Sequence, residues 1–454
     1  MNILLVEPNF PYPTKSKNRA NFIHKNFVPI GLLKLGSFYK SKGCKVKLVS
    51  GNLTKQQIGN YRPDKILITS IFTYLSKYVL SSVEHYRSLF PKSIIELGGI
   101  YVTLHHNTKT FRELAKRFRV NWHVGLHEKA EEFLPDYSLV NGSCDYYATH
   151  AMRGCIRRCE FCGTWKIEPK LMFKSPEELI NEINAMEKNK VIFFDNNFLS
   201  NPNIKQILQE LSLVRINEKP VIFESQSGFD GRLLEKNSEL ANLLKKARFQ
   251  NIRIAWDNSI SDAHSIEKQI EYFKEAGYPA KDISVFMIYN FNVSYEDMLK
   301  KLNYCKKWGV QITDCRYRPL DSTSDNYCPR IKNCQTENDY YIHSDSGWTD
   351  KTIREFRKKV RQHNIWIRYA KDKGLEYNQK MERWSAIHTL FKFFNLGRPP
   401  KIEIIEKNAK WKDRIRTMNR IKEYYKNGHT KNLDFSNMKI MELDKKLDKI
   451  DKSL

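Results

Sequence analysis

The chain has 454 residues, which is long enough for two folded units plus an appendage. A hydrophobic fraction of 41% and an aromatic fraction of 12% exclude wholesale disorder, and no uninterrupted apolar stretch approaches the roughly 18 residues of a membrane span. The formal net charge is +26, and the N-terminal sequence lacks the features of a signal peptide, so we expect a basic, cytoplasmic protein.

The first 125 residues alternate short β-branched stretches with amphipathic ones, which predicts βαβ units and a parallel sheet. A helix is predicted over 29–42, where apolar residues recur at helical spacing and a glycine follows. In doubly wound sheets, ligands bind beyond the carboxyl ends of the strands. The loops expected there are 8–28, 52–62, 72–74 and 98–107. The predicted strands are 2–7, 45–50, 65–71, 93–97 and 121–124.

A second α/β series follows a turn-rich connector over 126–145. Its predicted strands are 146–151, 191–195, 221–225, 252–257, 284–288 and 311–317. The helical stretches between them are 176–186, 204–212, 238–247, 266–276 and 295–308. Six βα repeats predict a partial barrel over 146–330 rather than a closed eightfold one. Barrel enzymes place their chemistry at the carboxyl ends of the strands.

Three of the nine cysteines lie in the segment Cys155-Ile-Arg-Arg-Cys159-Glu-Phe-Cys162, directly after the first strand of this series. Three thiolates at this spacing can ligate three irons of a 4Fe–4S cluster. The fourth iron stays open to S-adenosylmethionine (SAM), whose one-electron cleavage gives a 5'-deoxyadenosyl radical. Phe161 would face the adenine of SAM. The alternative is a zinc site with His150 as the nearest candidate for a fourth ligand.

This segment resembles the signature of the radical SAM superfamily, Arg153-Gly-Cys-x3-Cys-x-Phe-Cys. The resemblance extends over roughly residues 1–320, because the N-terminal part is similar to the cobalamin-binding domain of one radical SAM subgroup. It implies a 4Fe–4S cluster, SAM and cobalamin as cofactors, and an external one-electron donor such as flavodoxin or ferredoxin. The N-terminal stretches that carry it are Pro29-Ile-Gly-Leu-Leu, Ile68-Thr-Ser-Ile-Phe-Thr, Leu97-Gly-Gly-Ile-Tyr-Val-Thr and Gly125-Leu-His-Glu.

The sequence departs from many cobalamin-binding proteins at the residue that would ligate cobalt. The Asp-x-His-x-x-Gly motif that supplies a lower cobalt ligand in many cobalamin proteins is missing, and His24 does not match it. Members of the subgroup often lack that histidine, so the resemblance still implies cobalamin, bound without a protein histidine on cobalt. The alternative is a sheet that keeps the fold without the cofactor. Contact with the nucleotide tail of cobalamin is expected from Thr69, Ser70, Gly98, Gly99 and Thr103.

Polar residues at the carboxyl ends of the predicted barrel strands are candidates to bind SAM or substrate. The resemblance implies that Asp195, Gln226 and Arg253 lie nearest SAM, and an internal salt bridge is the alternative for each. Cys315 and Cys328, with Cys334, suggest an auxiliary cluster or a reactive thiol. Ordinary thiols are the favoured interpretation.

The sequence after residue 330 is basic and mostly helical, and residues 341–454 contain 28 Lys and Arg against 15 Asp and Glu. Contact with RNA or phosphate is one interpretation. A helix packed on the barrel with a solvated basic face, together with the composition of an A/T-rich genome, is the favoured one. Residues 443–452 are predicted to be frayed.

The predicted fold class is therefore α/β. A doubly wound, cobalamin-binding-like parallel sheet (1–125) and a connector (126–145) precede a partial (β/α)6 radical SAM barrel (146–330) and a basic helical C-terminal region (331–454). The predicted function is a radical SAM enzyme, cobalamin-dependent and a candidate C-methyltransferase, acting on an unidentified small molecule or RNA. One alternative is a cobalamin-free radical SAM enzyme that modifies a nucleotide or lipid-like substrate. Another is an RNA-binding or scaffold protein with a vestigial cluster.

Overall fold

The computed structural model describes residues 1–11, 27–140, 144–331, 335–369, 371, 379–426 and 440–452. The chain divides into two compact units, Met1–Phe356 and Arg357–Leu454. The finer predicted division, at residues 125, 145 and 330, stays a prediction. His24 and Cys334 lie outside the described residues. None of the described helices has the length and apolar character needed to cross a membrane.

The N-terminal part of the first unit is a five-stranded sheet of β1 (Asn2–Glu7), β2 (Lys45–Ser50), β3 (Lys65–Ser70), β4 (Ile94–Gly99) and β5 (Val120–Trp122). All neighbouring strands are parallel, in the order β2-β1-β3-β4-β5, which is a common doubly wound order. Leu4 and Val6 pack into one core and Ile3 and Leu5 into another. Both faces of β1 are thus covered, which explains its unbroken apolar stretch.

The helices of this part are α1 (Ile30–Ser41), α2 (Lys55–Ile58), α3 (Ser76–Leu89), α4 (Ile100–His105), α5 (Lys109–Phe118) and α6 (Glu128–Glu131). Helix α4 occupies most of the region 98–107, which was predicted as a loop. It begins directly after Gly99, whose φ of 97° turns the chain away from β4. Tyr101 and Val102 are buried in the core of the sheet. The carboxyl end of β4 therefore meets a helix rather than an open loop.

The second series contains β6 (Tyr147–Thr149), β7 (Met152–Arg153), β8 (Met172–Phe173), β9 (Lys190–Phe193), β10 (Arg215–Ile216), β11 (Lys219–Pro220), β12 (Ile222–Ser225), β13 (Arg253–Ala255), β14 (Ser284–Tyr289) and β15 (Gln311–Arg316). Strands β6, β9 and β12 form one parallel sheet, and β13, β14 and β15 form another. Isolated parallel bridges, Phe223 with Phe249 and Phe229 with Ile254, connect the β12 and β13 regions. The six parallel strands follow one another in chain order, and their closure into a partial barrel stays a prediction.

The helices of the second series are α7 (Thr164–Ile167), α8 (Pro176–Ala185), α9 (Ile204–Leu213), α10 (Gly231–Lys236), α11 (Glu239–Lys246), α12 (Ala263–Glu275) and α13 (Tyr295–Trp308). The sequence predicts all of them except α7 and α10. A capping box starts α8, because Ser175 Oγ accepts from the Glu178 N–H and the Glu178 carboxylate accepts from the Ser175 N–H. Phe193, Phe223 and Phe249 are stacked or tilted against one another beneath the strand ends.

The C-terminal helices are α14 (Asp350–Tyr369), α15 (Gln379–Phe393), α16 (Ile402–Lys407), α17 (Ala409–Lys426) and α18 (Ile440–Asp451), and the boundary between the two units falls within α14. The second unit has its own core, to which Leu443 and Leu447 of α18 contribute. The prediction of a frayed end over 443–452 differs from this structure. The two leucines lie one helical turn apart and are buried, and Asp444 between them pairs with Arg414 of α17.

Candidate active site

A cavity of about 850 Å³ lies at the carboxyl ends of the parallel strands of the second series. This volume is within the range of small-molecule sites. The segments after β9, β12, β13 and β14 supply much of its lining, and the segment after β7 adds Cys155, Cys159, Phe161 and Cys162. The structure therefore brings the three clustered cysteines and Phe161 to one cavity.

The cysteines lie on a segment that we call the cluster loop, residues 154–171, which connects β7 to its antiparallel partner β8. Gly154 begins this loop with a φ of 80°, and a Cβ atom there would come within 2.7 Å of the Lys170 carbonyl oxygen. Only glycine fits this backbone conformation and this close approach without strain. The two ends of the loop are therefore held in direct contact.

Glu168 closes the cluster loop from within. One carboxylate oxygen accepts from Arg153 Nη1 at 3.0 Å, and the other accepts from the Gly154 N–H at 2.8 Å and from Asn196 Nδ2 at 3.0 Å. Arg153 also pairs with Glu131 at 2.9 Å. Glu168 could not be predicted from the sequence, because no spacing rule joins an acidic residue at the end of a loop to the backbone at its start.

Hydrogen bonds surround the cysteine sulfurs. The Arg157 N–H donates to Cys155 Sγ at 3.3 Å, the Cys162 thiol donates to Thr164 Oγ1 at 3.2 Å, and Trp165 Nε1 donates to the Cys159 carbonyl at 3.3 Å. Three thiols on one loop, with polar groups facing the same cavity, are a donor set that fits a 4Fe–4S cluster with one open iron.

The zinc alternative required His150 as a fourth ligand. The structure instead places His150 Nε2 3.8 Å from Glu131 Oε2, and His150 does not line the cavity. Burial, with the nearby charges of Arg153 and Lys174, lowers the pKa of His150 well below its usual value. Within the described parts of the chain, no three His, Cys, Asp or Glu side chains are grouped to hold a single metal ion.

Residues 150–311 match the family model described as the radical SAM superfamily. This part of the chain is a radical SAM domain. The match contains the three cysteines and ends at the first residue of β15, and it spans less than half of the chain. It supports a radical SAM enzyme in general, and the superfamily implies a 4Fe–4S cluster, SAM and an external electron donor. A search of the curated proteins gives no match.

Asp195 of the radical SAM domain does not line the cavity. Its side chain is 1% exposed, and its carboxylate accepts from the N–H groups of Ala151, at 3.0 and 3.1 Å, and Met152, at 2.7 Å. Burial raises the pKa of Asp195 to about 7, although the two N–H donors favour the ionised form. These contacts fix the backbone that leads into the cluster loop, and contact of Asp195 with SAM stays a prediction.

Arg253 and Gln226 lie outside the cavity lining as well. Arg253 is buried, donates to the Ser225 carbonyl at 2.8 Å and pairs with the fully buried Glu224, as the salt-bridge alternative anticipated. Gln226 differs, because its buried Oε1 has no hydrogen-bond partner. Contact of Gln226 and Arg253 with SAM stays a prediction.

Two further charged residues lie at this site, Asp257 on the cavity wall and Lys301 buried behind it. Asp257, at the end of β13, lines the cavity, and burial raises its pKa to about 6 against the opposing charge of Lys301. Lys301 is fully buried, donates to the Trp256 and Asn258 carbonyls, and has its pKa lowered by burial to about 8. The signal for Lys301 was its position three residues after Met298, on the apolar stripe of α13.

Asp230 connects the cluster loop to the segment after β12. Asp230 Oδ2 accepts from Arg157 Nε at 2.9 Å and from Asn197 Nδ2 at 3.3 Å, and Asp230 Oδ1 accepts from Arg232 Nε at 2.7 Å. Burial, which raises the pKa of Asp230, is outweighed by Arg232 and Arg157, and the net pKa is lowered. Asp230 is therefore ionised at neutral pH and orients two arginines that line the cavity.

The residues expected to bind cobalamin contact one another instead. Ser70 Oγ donates to the Gly98 carbonyl at 2.7 Å, and Thr103 Oγ1 donates to the Gly99 carbonyl at 2.9 Å and accepts from the Gly125 N–H at 3.0 Å. Thr69 is half-buried on β3. A Cβ atom on Gly99 would come within 2.0 Å of the Ser70 carbonyl oxygen. Packing between β3 and β4 therefore accounts for this glycine.

The radical SAM domain packs against this same edge of the N-terminal sheet. His105 of α4 donates through Nε2 to the Leu320 carbonyl at 2.9 Å, and Ser76 donates to the Thr323 carbonyl at 2.8 Å. Leu104 lies beside Gly163 of the cluster loop. These contacts lie at the edge where a corrin was expected to face the barrel, and cobalamin binding there stays a prediction. A separate cavity of about 220 Å³, at the ends of β1 and β2, includes none of the five expected residues.

Proposed function

We propose that the protein is a radical SAM enzyme whose Cys155, Cys159 and Cys162 hold a 4Fe–4S cluster. The bound cluster would supply the electron that cleaves SAM to a 5'-deoxyadenosyl radical. The observation that carries the proposal is the position of three thiols on one constrained loop, at the mouth of a cavity large enough for SAM and a small substrate group. Within this proposal the chain positions SAM, excludes water and supplies charge.

The lining residues divide this work. Phe161 presents an aromatic side chain, held in edge contact with Phe291 at 6.0 Å between ring centroids, for the adenine of SAM. Asp257 offers a negative charge to the cationic sulfonium above pH of about 6. Asp195 and Arg253, which lie outside the cavity lining, act as positioning residues for the strands beneath the site.

The test is anaerobic reconstitution with iron and sulfide, followed by iron analysis, visible absorption and detection of 5'-deoxyadenosine from SAM. We expect about four irons per chain, as one 4Fe–4S cluster requires. Cys159→Ala should lose most of the iron and all of the SAM cleavage. Cys144→Ala is the matched control, because Cys144 is half-buried and lies outside the large cavity. Native protein that contains zinc and no iron after anaerobic purification would refute the proposal.

The cobalamin-free form of this function has the stronger support. Ser70, Gly98, Gly99 and Thr103 form hydrogen bonds or close contacts with neighbouring protein groups, and α4 packs on the cluster loop where the corrin was expected. These contacts favour a site without cobalamin. We therefore propose a cobalamin-free radical reaction rather than cobalamin-dependent methylation.

Production of the protein in cells that take up cobalamin distinguishes the cobalamin-free function from the cobalamin-dependent one. The cobalamin-free form predicts that no corrin co-elutes in gel filtration and that SAM gives 5'-deoxyadenosine without S-adenosylhomocysteine. Near-stoichiometric cobalamin with a base-off spectrum, together with S-adenosylhomocysteine during turnover, would restore the methyltransferase hypothesis. SAM cleavage to 5'-deoxyadenosine is common to both forms, so this result leaves the radical SAM assignment intact.

A further inference from the structure

Cys315 occupies the carboxyl end of the last strand of the second series. It pairs with Ile288 of β14, and both residues line the large cavity. Phe286, two residues before Ile288 on the same face of β14, also lines it. The side chain of Cys315 is exposed, and the surface to which it is exposed is this cavity. The thiol thus faces the same space as the cluster-loop cysteines.

Two buried polar side chains help to form the wall of this space. Asn197 is 4% exposed and Gln269 is 2% exposed, and both line the cavity. Asn197 Nδ2 donates to Asp230, and Gln269 Nε2 donates to Glu235 and Ser265. The cavity that Cys315 faces therefore has a wall that protein contacts hold in place.

We propose that Cys315 is a catalytic hydrogen-atom donor, which returns a hydrogen atom to a carbon-centred substrate radical in this cavity. The inference rests on the proposed function, because it needs a radical formed from SAM. It makes the reaction a redox-neutral change at a C–H bond, such as inversion of a stereocentre. The substrate class is then a molecule whose reacting carbon carries a hydrogen that can be removed from one side and replaced from another.

A substrate C–H bond gives its hydrogen atom to the 5'-deoxyadenosyl radical, and 5'-deoxyadenosine and a carbon radical result. The S–H bond of Cys315 then breaks homolytically, the hydrogen atom forms the new C–H bond, and a thiyl radical remains on sulfur. One electron from the external one-electron donor and one proton from water restore the thiol. Each turnover consumes one SAM and two electrons.

The thiol must be protonated for this step, because a thiolate carries no hydrogen atom. Although Cys315 opens onto the cavity, the protein around it separates the thiol from bulk water. This burial, supported by the charges of Asp314 and Asp257, raises the pKa of Cys315 to about 12. Cys315 is therefore a thiol throughout the neutral range. An S–H bond is also weaker than an alkyl C–H bond, so transfer of the hydrogen atom to a carbon radical is downhill.

The test uses SAM alone, in D2O, with the reconstituted full-length protein and a reductant free of thiols. Without substrate, the radical should take its hydrogen atom from the thiol that faces it, which exchanges with solvent. We expect 5'-deoxyadenosine from the native protein to carry one deuterium. That fraction should fall several-fold in Cys315→Ala and Cys315→Ser. Cys328→Ser should keep the label, because Cys328 does not line the cavity.

Deuterium-free 5'-deoxyadenosine from the native protein overturns the proposal without any variant, and so does a label that persists in Cys315→Ala. Absence of 5'-deoxyadenosine from the native protein is a different failure, which refutes the radical SAM function itself.

A second readout does not depend on turnover. Iodoacetamide treatment of the cluster-loaded native protein, followed by peptide mass spectrometry, should modify Cys315 faster as pH rises and leave the buried Cys305 unmodified. If Cys315 is modified no faster than Cys305 at any pH, its thiol does not face an accessible cavity and the proposal fails.

Discussion

The edge of the N-terminal sheet and the edge of the radical SAM domain both carry polar residues, but these residues are arranged differently. Both lie at the carboxyl ends of parallel strands, where ligands bind in α/β proteins. At the N-terminal sheet, Ser70 and Thr103 bond to neighbouring protein groups. In the radical SAM domain, thiols and polar side chains line a cavity of about 850 Å³. Polar residues at a strand end thus indicate a site only when the surrounding chain leaves a cavity beside them.

The largest effect should come from Gly99→Ala. The residue has φ of 97°, and the new methyl group would meet the Ser70 carbonyl oxygen at 2.0 Å. We expect the free energy of unfolding to fall by about 3 kcal/mol or more, from backbone strain and overpacking together.

Gly98→Ala is the matched control, because a Cβ there has no neighbour within 4 Å. Urea denaturation of the two variants measures the difference. Equal stability of both variants would mean that Gly99 is not required for packing, and a ligand-binding role for this edge would return.

Glu168→Gln should lower the stability of the cluster loop in the radical SAM domain. It removes the charge from the hydrogen bonds to Arg153 and to the Gly154 N–H, and charge-assisted bonds of this kind contribute about 1.5–3 kcal/mol each. We expect the variant to unfold at lower urea concentration and to lose iron faster during gel filtration. Glu177→Gln, on the exposed side of α8, should change neither property. Unchanged iron retention in Glu168→Gln would show that the loop does not need this contact.

Asp257→Asn should raise the free energy of unfolding, in contrast to Glu168→Gln, and the size of this effect should depend on pH. Burial raises the pKa of this carboxyl from 3.8 to about 6, so the folded state holds its proton more tightly than the unfolded chain does. The ionised form therefore destabilises the native protein above pH of about 6, and this cost vanishes as pH falls towards the unfolded pKa.

We expect Asp257→Asn to be more stable than the native protein by about 1–2 kcal/mol at pH 8, after allowance for partial solvent screening, and equally stable near pH 4. Thermal unfolding across this range measures the difference. SAM should bind the variant more weakly at pH 8, because the charge opposite the sulfonium is lost. A constant stability difference at all pH values would contradict the cause given for the raised pKa.

Thr103→Val should give the smallest effect. It leaves the Gly125 N–H without its acceptor, which costs about 1 kcal/mol if water replaces the bond. Thr69→Val is the comparison, since Thr69 is only half-buried. The decisive measurement is cobalamin retention in both variants and in the native protein. If the native protein retains cobalamin and Thr103→Val does not, the N-terminal edge is a cofactor site after all.

The sequence predicts the strands of this chain well, because apolar runs of fixed length determine them. All five strands of the first sheet and all six parallel strands of the second series lie within a few residues of their predicted positions. Helix α4 was missed, because Gly98-Gly99 suggests a loop when the contact with Ser70 is unknown. Helix α18 was missed because its charges obscure two buried leucines.

The cysteines of the candidate site could be predicted, since their spacing in the sequence is itself the signal. The supporting contacts could not. Glu168, Asp230 and Lys301 act through partners that are distant in sequence or through backbone carbonyls, and no local pattern records such pairs. Asp195 follows the carboxyl end of β9 as expected, whereas Arg253 is the first residue of β13 rather than the last. The side chains of both point to protein partners that only the folded chain shows.

The contacts that close the cluster loop have a consequence for the life of the protein in air. Glu168, the Gly154 turn and the β7–β8 pairing involve protein atoms alone, so we expect these contacts to order the loop without iron. Insertion of a cluster then costs little additional chain entropy. Oxidative loss of the cluster should accordingly leave a folded apoprotein that the cellular iron–sulfur assembly machinery can repair, rather than one that must be degraded and resynthesised.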